Sequence, residues 1–356
     1  MRKKRGLTVC TRPLKGFLNG LTENGKKNLV IAPYDIDHIE FINGHKRYLK
    51  ESLIYDKKNA LTEFVEVPCG QCIECRLNRS RKWADRCMME LQYHTQSWFV
   101  TLTYDNEHIP KNPMYDLETG EVYAENATLV KKDFQDFMKR LRRAYEYAGH
   151  ENKLRFFAAG EYGSETMRPH FHAILFGLEL DSDDLSLYKR NLQGDNLYNS
   201  KLISSCWKNG FSVVGEVTWQ SCAYVARYIM KKHLGKESEF YDIYNIEPEF
   251  TLMSRKPGIA RQYYEDHKDE LFSYDFVSIP TNEGARKIYP PPYFEKLFED
   301  DFPEQDVVER KERRKQAAID SMDLQLQKTS KNKIDYLATK EYNLDSKVKA
   351  LKRGDC

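Results

Sequence analysis

No stretch of this 356-residue chain approaches the ~20 consecutive apolar residues that a helix needs to cross a bilayer. The opening MRKKR is basic, yet no apolar run of signal-peptide length follows it. Both absences point to a soluble intracellular protein with no membrane partner. Net charge is scarce as well: 56 basic residues against 54 acidic ones leave a formal +2. Bulk charge therefore does not announce a nucleic-acid binder, and any phosphate contact has to be local. No internal repeat is visible. A nucleotide motor is also missing. GLTENGKK (20–27) falls one residue short of a phosphate-binding loop, because Lys27 stands where Ser or Thr would hold Mg2+. With no strand–loop–helix frame around it, the segment reads as a hairpin turn between short strands, and unwinding would fall to another enzyme.

Cysteine is sparse and clustered. Of eight cysteines, Cys69, Cys72 and Cys75 lie within seven residues, in PCGQCIEC. That crowding suits metal ligands better than a disulfide scaffold. A C-x2-C-x2-C knuckle favours zinc, and a closed structural site wants four ligands. Cys87 lies in what reads as a helix beginning near Asn78, on one face with Trp83 and Leu91. It would sit more than ~12 Å along the axis from the knuckle and is assigned to the core. Cys10, on a presumed N-terminal strand, is the preferred fourth ligand. The alternative is a set of reduced thiols in a tight turn; an iron–sulfur cluster would have no redox role here.

Charge is patterned locally. MRKKR, RLNRSRKWADR and KKDFQDFMKRLRRAY are basic, while DSDD and FEDDFPEQD are acidic. Such patches fit phosphate contacts and solvated helix faces equally well. Four regions follow. Residues 1–95 hold the cysteine knuckle and a basic helix, and 96–235 alternate strand and helix patterns. Residues 236–300 form an accessory segment rich in tyrosine and proline. Residues 301–356 form a charged tail, helical and loosely docked or mobile.

Within 96–235, WFVTLTY (98–104), RFFAAGEYG (155–163), HFHAILFG (170–177) and GFSVVGEVTW (210–219) read as strands. Val130, Phe134, Phe137, Met138, Leu141 and Tyr145 recur at helical spacing, with Lys132, Lys139, Arg140 and Arg143 opposite. SCAYVARYIMKKH (221–233) reads as a helix capped by Ser221. The insert 179–209 is expected to hold short helices. The fold class is α+β: a central, largely antiparallel sheet with helices on one face.

Two pairs carry chemistry. Side chains two apart on a strand point the same way, so His170 and His172 face together. Glu161 ends the preceding strand nine residues upstream, and a hairpin would bring it alongside as third ligand. Imidazoles plus a carboxylate, with positions left open, suit Mg2+ or Mn2+ that must still accept a phosphate oxygen. The alternative is a histidine pair that only hydrogen-bonds in a half-buried sheet. Tyr224 and Tyr228, four residues apart, are vertical neighbours on a helix, and Lys231 falls on the same stripe. An aromatic stripe packed on the sheet is the other reading. A phenol, pKa near ~10, needs help to act as a nucleophile at neutral pH. Lys231 would stabilise the phenolate, and a metal-polarised phosphate would be the target. The product would be a phosphotyrosine that stores bond energy, so rejoining needs no ATP.

FVTLTY, PHFHAILFG and YVARYIMKK resemble the three ordered motifs of rolling-circle replication initiators, the HUH endonucleases. The spacing YxxxYxxK resembles the two-tyrosine branch of small single-stranded DNA phages. VPCGQCIECRLNRSRKWADRC, GEYGSETMRPHFHAILFG and MSRKPGIARQYYEDH are similar to segments of replication initiators of gokushovirus-type microviruses, over residues 66–267. The resemblance implies an enzyme of the host bacterial cytoplasm that nicks the viral origin, attaches to the 5′ phosphate and leaves a 3′ hydroxyl for the host polymerase, with a host helicase unwinding. It implies His170 and His172 as ligands, Tyr224 and Tyr228 as nucleophiles and Lys231 as helper; the third ligand varies across the superfamily, leaving Glu161 the least fixed. Single-stranded or unwound origin DNA would need a positive groove. Arg168, Arg227, Lys232, Arg255 and Lys256 are the candidates. Two rivals stay open: an HUH transposase or relaxase with the same chemistry, and a zinc-stabilised DNA-binding protein without catalysis.

Overall fold

The computed structural model describes residues 9–23, 27–50, 60–116, 118–151, 153–163, 165–191, 194–227, 238–281 and 284–350. The chain divides into two compact units, residues 1–78 with 309–353 and residues 79–308 with the last three.

The first unit opens with β1 (Leu14–Leu21), β2 (Lys27–Ala32), β3 (His38–Ile42), β4 (His45–Leu49), β5 (Ala60–Leu61) and β6 (Phe64–Val67). They form two three-stranded sheets, ordered β2-β1-β6 and β4-β3-β5. β1 and β2 are antiparallel neighbours, as the hairpin reading of 20–27 requires. Phe17, Val30, Ala32, Ile36 and Ile39 make a small core. The division between units falls within α1 (Ile73–Leu91). That helix starts five residues before the expected Asn78. Cys72 takes the cap position, its sulfur accepting from the Cys75 N–H at 3.5 Å, where serine or aspartate commonly sits.

The second unit is built on a seven-stranded sheet. Its elements are β7 (Ser97–Tyr104), β8 (Lys111–Tyr115), β9 (Val122–Ala127), α2 (Lys131–Tyr147), β10 (Arg155–Tyr162), β11 (Pro169–Phe176), β12 (Leu185–Arg190), β13 (Asn196–Ser200), α3 (Lys201–Cys206), β14 (Gly210–Glu216), α4 (Trp219–Arg227), α5 (Glu239–Ile243), β15 (Phe250–Met253), α6 (Arg261–Tyr274), β16 (Val277–Thr281), β17 (Gly284–Ile288) and α7 (Pro292–Asp301). The sheet order is β12-β13-β14-β7-β11-β10-β15, and its pairs are antiparallel. The α+β class and the antiparallel sheet are as expected.

Two details differ from the sequence reading. The insert 179–209 is mainly a hairpin, β12 and β13, that widens the sheet; only a 3-10 turn at 182–184 and α3 are helical. Helices also cover both faces. Val100, Leu102, Tyr104, Phe171, Ala173 and Leu175 pack against Phe134, Phe137, Met138, Leu141 and Tyr145 of α2. Each such burial contributes about 1.5–3 kcal/mol. The alternate residues Phe99, Phe157, Ala159, Ile174 and Phe176 pack against Ala84 and Cys87 of α1 and Cys222, Val225 and Ala226 of α4. Cys87 is thus core, as expected. The second face was missed because α1 reads as a basic helix whose apolar stripe is narrow.

The tail continues as α8 (Glu304–Leu326) and α9 (Lys333–Ala350). It is helical, as expected, but not loosely docked. Met322 and Leu337 are buried, Arg12 donates to Glu341 at 2.7 Å and Lys333 pairs with Glu66. Among the described residues no helix is long and apolar enough to cross a membrane.

Candidate active site and metal-binding groups

β11 runs antiparallel beside β10 with Glu161 directly opposite His170 and Ala159 opposite His172. Directly paired residues share a face, and residues two apart along a strand do too. Glu161, His170 and His172 therefore converge near one end of the sheet. Glu161 Oε1 lies 2.6 Å from His170 Nε2 and 3.0 Å from His172 Nε2. The three groups offer ligand atoms within 4.8 Å of one another.

The other ring nitrogens are held from behind. His170 Nδ1 donates to the Arg168 carbonyl at 3.0 Å, which can only accept. With the Nδ1 proton engaged there, the short contact from Nε2 to the Glu161 carboxylate requires a second proton on the ring or a metal ion in its place. His172 Nδ1 lies 3.0 Å from Thr101 Oγ1, the orienting contact that ligating imidazoles commonly have. Burial opposes ionisation of Glu161, but hydrogen bonds from His170 and His172 outweigh it and hold the carboxyl below its ordinary range. Side-chain exposure is 2% at Glu161 and His172 but 17% at His170. The cluster opens to solvent on the His170 side.

Tyr224 reaches this cluster from α4. Its ring lies 5.2 Å from that of His172, edge to face, and 5.9 Å from Phe99. Phe99 in turn stacks on His172 at 5.6 Å and 14°. The helix that carries Tyr224 is capped by Thr218 rather than Ser221. Thr218 Oγ1 accepts from the Ser221 N–H at 3.1 Å, and Ser221 Oγ accepts from the Thr218 N–H at 2.8 Å. This reciprocal box moves the start to Trp219. Tyr228, Lys231 and Lys232 lie outside the described residues.

In the first unit Cys10, Cys69, Cys72 and Cys75 also converge, with sulfurs within 4.8 Å of one another. Cys10 Sγ is 3.6 Å from Cys69 Sγ and 3.7 Å from Cys72 Sγ, far beyond a disulfide bond. Backbone N–H groups of Cys69, Gln71, Cys72 and Cys75 point at sulfurs of the set. Cys10 precedes β1 instead of lying on a strand. The hydrogen bond from the Cys10 thiol pulls Cys72 down to about 3; the same contact pushes Cys10 up. Such a set suits a cation that accepts several thiolates.

With both groups in place, the chain can be set beside known proteins. A family model for replication-associated proteins of the ORF2 type matches residues 97–233, from β7 past α4. Replication-associated protein ORF2 of Spiroplasma virus 4 is 33% identical over 301 residues, 84% of this chain and 88% of the relative. The chain belongs to the microvirus replication-associated proteins. Replication-associated protein VP4 of Bdellovibrio phage phiMH2K is 30% identical over 71% of this chain and 74% of its own length. Replication-associated protein ORF4 of Chlamydia phage 1 is 34% identical over 47% of this chain and 38% of its own. No solved structure matches. Membership gives the chain a part in phage replication.

The basic candidates scatter. Arg168 stands beside the histidines, its guanidinium donating to the Tyr104 carbonyl at 2.8 Å and to Asn106 Oδ1 at 2.6 Å. Arg227 ends α4. Arg255 and Lys256 are exposed in the turn after β15. That turn follows Ser254, whose N–H reaches the Phe156 carbonyl. It therefore lies at the opposite end of β10 from Glu161, roughly 20 Å away along the strand. The structure does not bring Arg255 and Lys256 to the histidines. Sequence reading missed Thr101 and Phe99. Both share the parity of strand 98–104 that faces His172, and the period of two was the signal that could have found them.

Proposed function

We propose that this protein nicks and rejoins DNA at the viral origin to start rolling-circle replication in the host cytoplasm. One observation carries the reading: the convergence of Glu161, His170 and His172 with the Tyr224 ring over His172. A carboxylate and two imidazoles fit Mg2+ or Mn2+, since cis ligands at ~2.1 Å in an octahedron lie about 3 Å apart. The ion, when bound, polarises a phosphate oxygen and offsets the charge that develops on it. The exposed edge at His170 is the entrance for the DNA phosphate.

Tyr224 or Tyr228 attacks phosphorus. A bond forms between the phenolic oxygen and phosphorus, and the bond from phosphorus to the 3′ oxygen breaks. The phenol loses its proton, and the departing oxygen takes one to become the 3′ hydroxyl. Lys231 favours the phenolate. The 5′ end stays on tyrosine, so attack by a later 3′ hydroxyl restores the strand. The second tyrosine permits a second cut while the first link persists. Host helicase and polymerase supply unwinding and synthesis on the single-stranded or unwound origin.

The cysteine set is read as a structural zinc site. Four thiolates at about 2.3 Å from zinc stand about 3.8 Å apart, close to the 3.6 and 3.7 Å between sulfurs here. The test is direct. Incubated with single-stranded origin DNA and Mn2+, the protein forms an adduct that survives denaturation. Y224F and Y228F together abolish it, and so does replacing both histidines. An adduct that persists in the double tyrosine variant refutes the nucleophile assignment. Binding without any adduct favours the non-catalytic zinc-stabilised rival.

A further inference from the structure

One apolar side chain on the active face is left open. Phe211 pairs with Thr103, Thr103 with His170, and His170 with Glu161. These residues form a single row across β14, β7, β11 and β10, all on the face that carries the metal-type cluster. Two strand spacings put Phe211 about 10 Å from His170. Phe211 is 68% exposed although it lies on an interior strand. Among the described residues no ring packs against it. Its neighbours Ser212 and Val214, on the other face, are buried.

The backbone is fixed where the phenyl begins. Gly210 has φ +144°, and a Cβ there would lie 2.4 Å from both the Asp105 nitrogen and the Thr103 oxygen. Only glycine lets β14 start this close to β7, and that approach sets Phe211 opposite Thr103. Beside the phenyl is a hollow of about 250 Å3 lined by Thr103, Tyr104, Asp105, Asn106, Arg168 and Phe211. It is smaller than the ~300–1,000 Å3 of pockets that enclose whole ligands. Its wall is planar and cationic where Arg168 is pinned by Tyr104 and Asn106. It is polar where Asp105, held by His108, and Asn106, held by Arg168, line it.

We infer that Phe211 is the stacking platform for one unpaired base of the DNA strand, next to the phosphate held at His170, with Arg168 and Asn106 closing the side of that hollow. Resting on the endonuclease reading, the assignment gives its site a nucleotide-positioning residue. Aromatic faces hold single-stranded bases with little sequence demand, while the polar edges beside them add preference. Singly exposed phenylalanines are ordinary on protein surfaces; this one stands in register with the histidines and opens on a hollow.

The experiment uses the full chain, Mn2+-free buffer and a set of origin oligonucleotides, each with one abasic position, read by fluorescence anisotropy. Wild-type protein loses affinity at one position beside the scissile linkage. F211A binds the intact oligonucleotide roughly 5- to 100-fold more weakly and no longer distinguishes it from that abasic one. F211W keeps both the affinity and the discrimination. Thermal unfolding of F211A matches wild type, since the ring is exposed. If the wild-type protein binds and forms the adduct while F211A and the abasic series are silent, the platform assignment is wrong and the endonuclease reading stands. If wild-type protein neither binds nor cleaves, both fall.

Discussion

Glu161→Gln keeps the side-chain volume and deletes the charge. Glu161 is 1% exposed and its Oε1 receives both imidazoles, at 2.6 and 3.0 Å. A hydrogen bond to a charged group is worth about 1.5–3 kcal/mol against about 0.5–1.5 for a neutral one; glutamine keeps the accepting oxygen but makes both bonds neutral. The expected loss is about 2–3 kcal/mol, the scale of one charge-assisted bond. That amounts to roughly 4–12 °C in Tm for a unit of this size. The loss depends on pH in a set direction. The folded carboxyl ionises below its ordinary range, so its contribution is complete above the unfolded value, about 4.3, and fades as pH falls through the folded value. Urea midpoints without added divalent ion should therefore differ most near neutrality and converge in acid. Added Mn2+ separates the two proteins further. At a hundredfold excess over Kd it stabilises the wild type by about 2.7 kcal/mol, roughly 5–10 °C, and the variant by far less. A variant that gains as much from Mn2+ as the wild type, or a gap that stays constant into acid, refutes the role given to Glu161.

Thr101→Val removes the hydroxyl behind His172 while keeping its shape; metal affinity, read by titration of cleavage with Mn2+, should fall about 10- to 100-fold. A zinc-stripping chelator, or Cys72→Ser, should release one metal per chain. It should also raise hydrogen exchange in β1 and β2 while the seven-stranded sheet keeps its protection. Structural zinc binding of about 10–16 kcal/mol is as large as the ~5–15 kcal/mol stability of a typical domain, and protein purified without any metal would sink this reading. Gly210→Ala should cost about 2–4 kcal/mol in denaturant midpoint because its Cβ meets backbone at 2.4 Å; an unchanged midpoint contradicts the close approach.

The central strands and the His–Glu convergence were legible because two simple rules govern them. A strand alternates its faces, and a short turn fixes the register that sets Glu161 opposite His170. The helical face of α2 was legible for the same kind of reason, in Phe134, Phe137, Met138, Leu141 and Tyr145. The misreadings arise where local signal is weak. LSLYKR carries little apolar character and is mostly exposed at a sheet edge, so its strand comes from pairing with β13. α1 begins at the knuckle because a cysteine sulfur does the work of a serine cap. Ser221 stands in the first turn and Thr218 takes the cap, a choice sequence alone leaves balanced. Phe211 lies in a strand legible from sequence, but which face that strand turns to the open side shows only in the register and the exposure.

The most direct measurement is the mass of the peptide that keeps the nucleotide. Trypsin cuts after Lys208, Arg227 and Lys231, so Tyr224 falls in peptide 209–227 and Tyr228 in peptide 228–231. After reaction with single-stranded origin DNA and Mn2+, and nuclease trimming, a nucleotide mass should appear on one or both of these peptides. It should vanish when His170 and His172 are replaced. A nucleotide carried on any other peptide, or one whose yield ignores the loss of both histidines, would contradict the account.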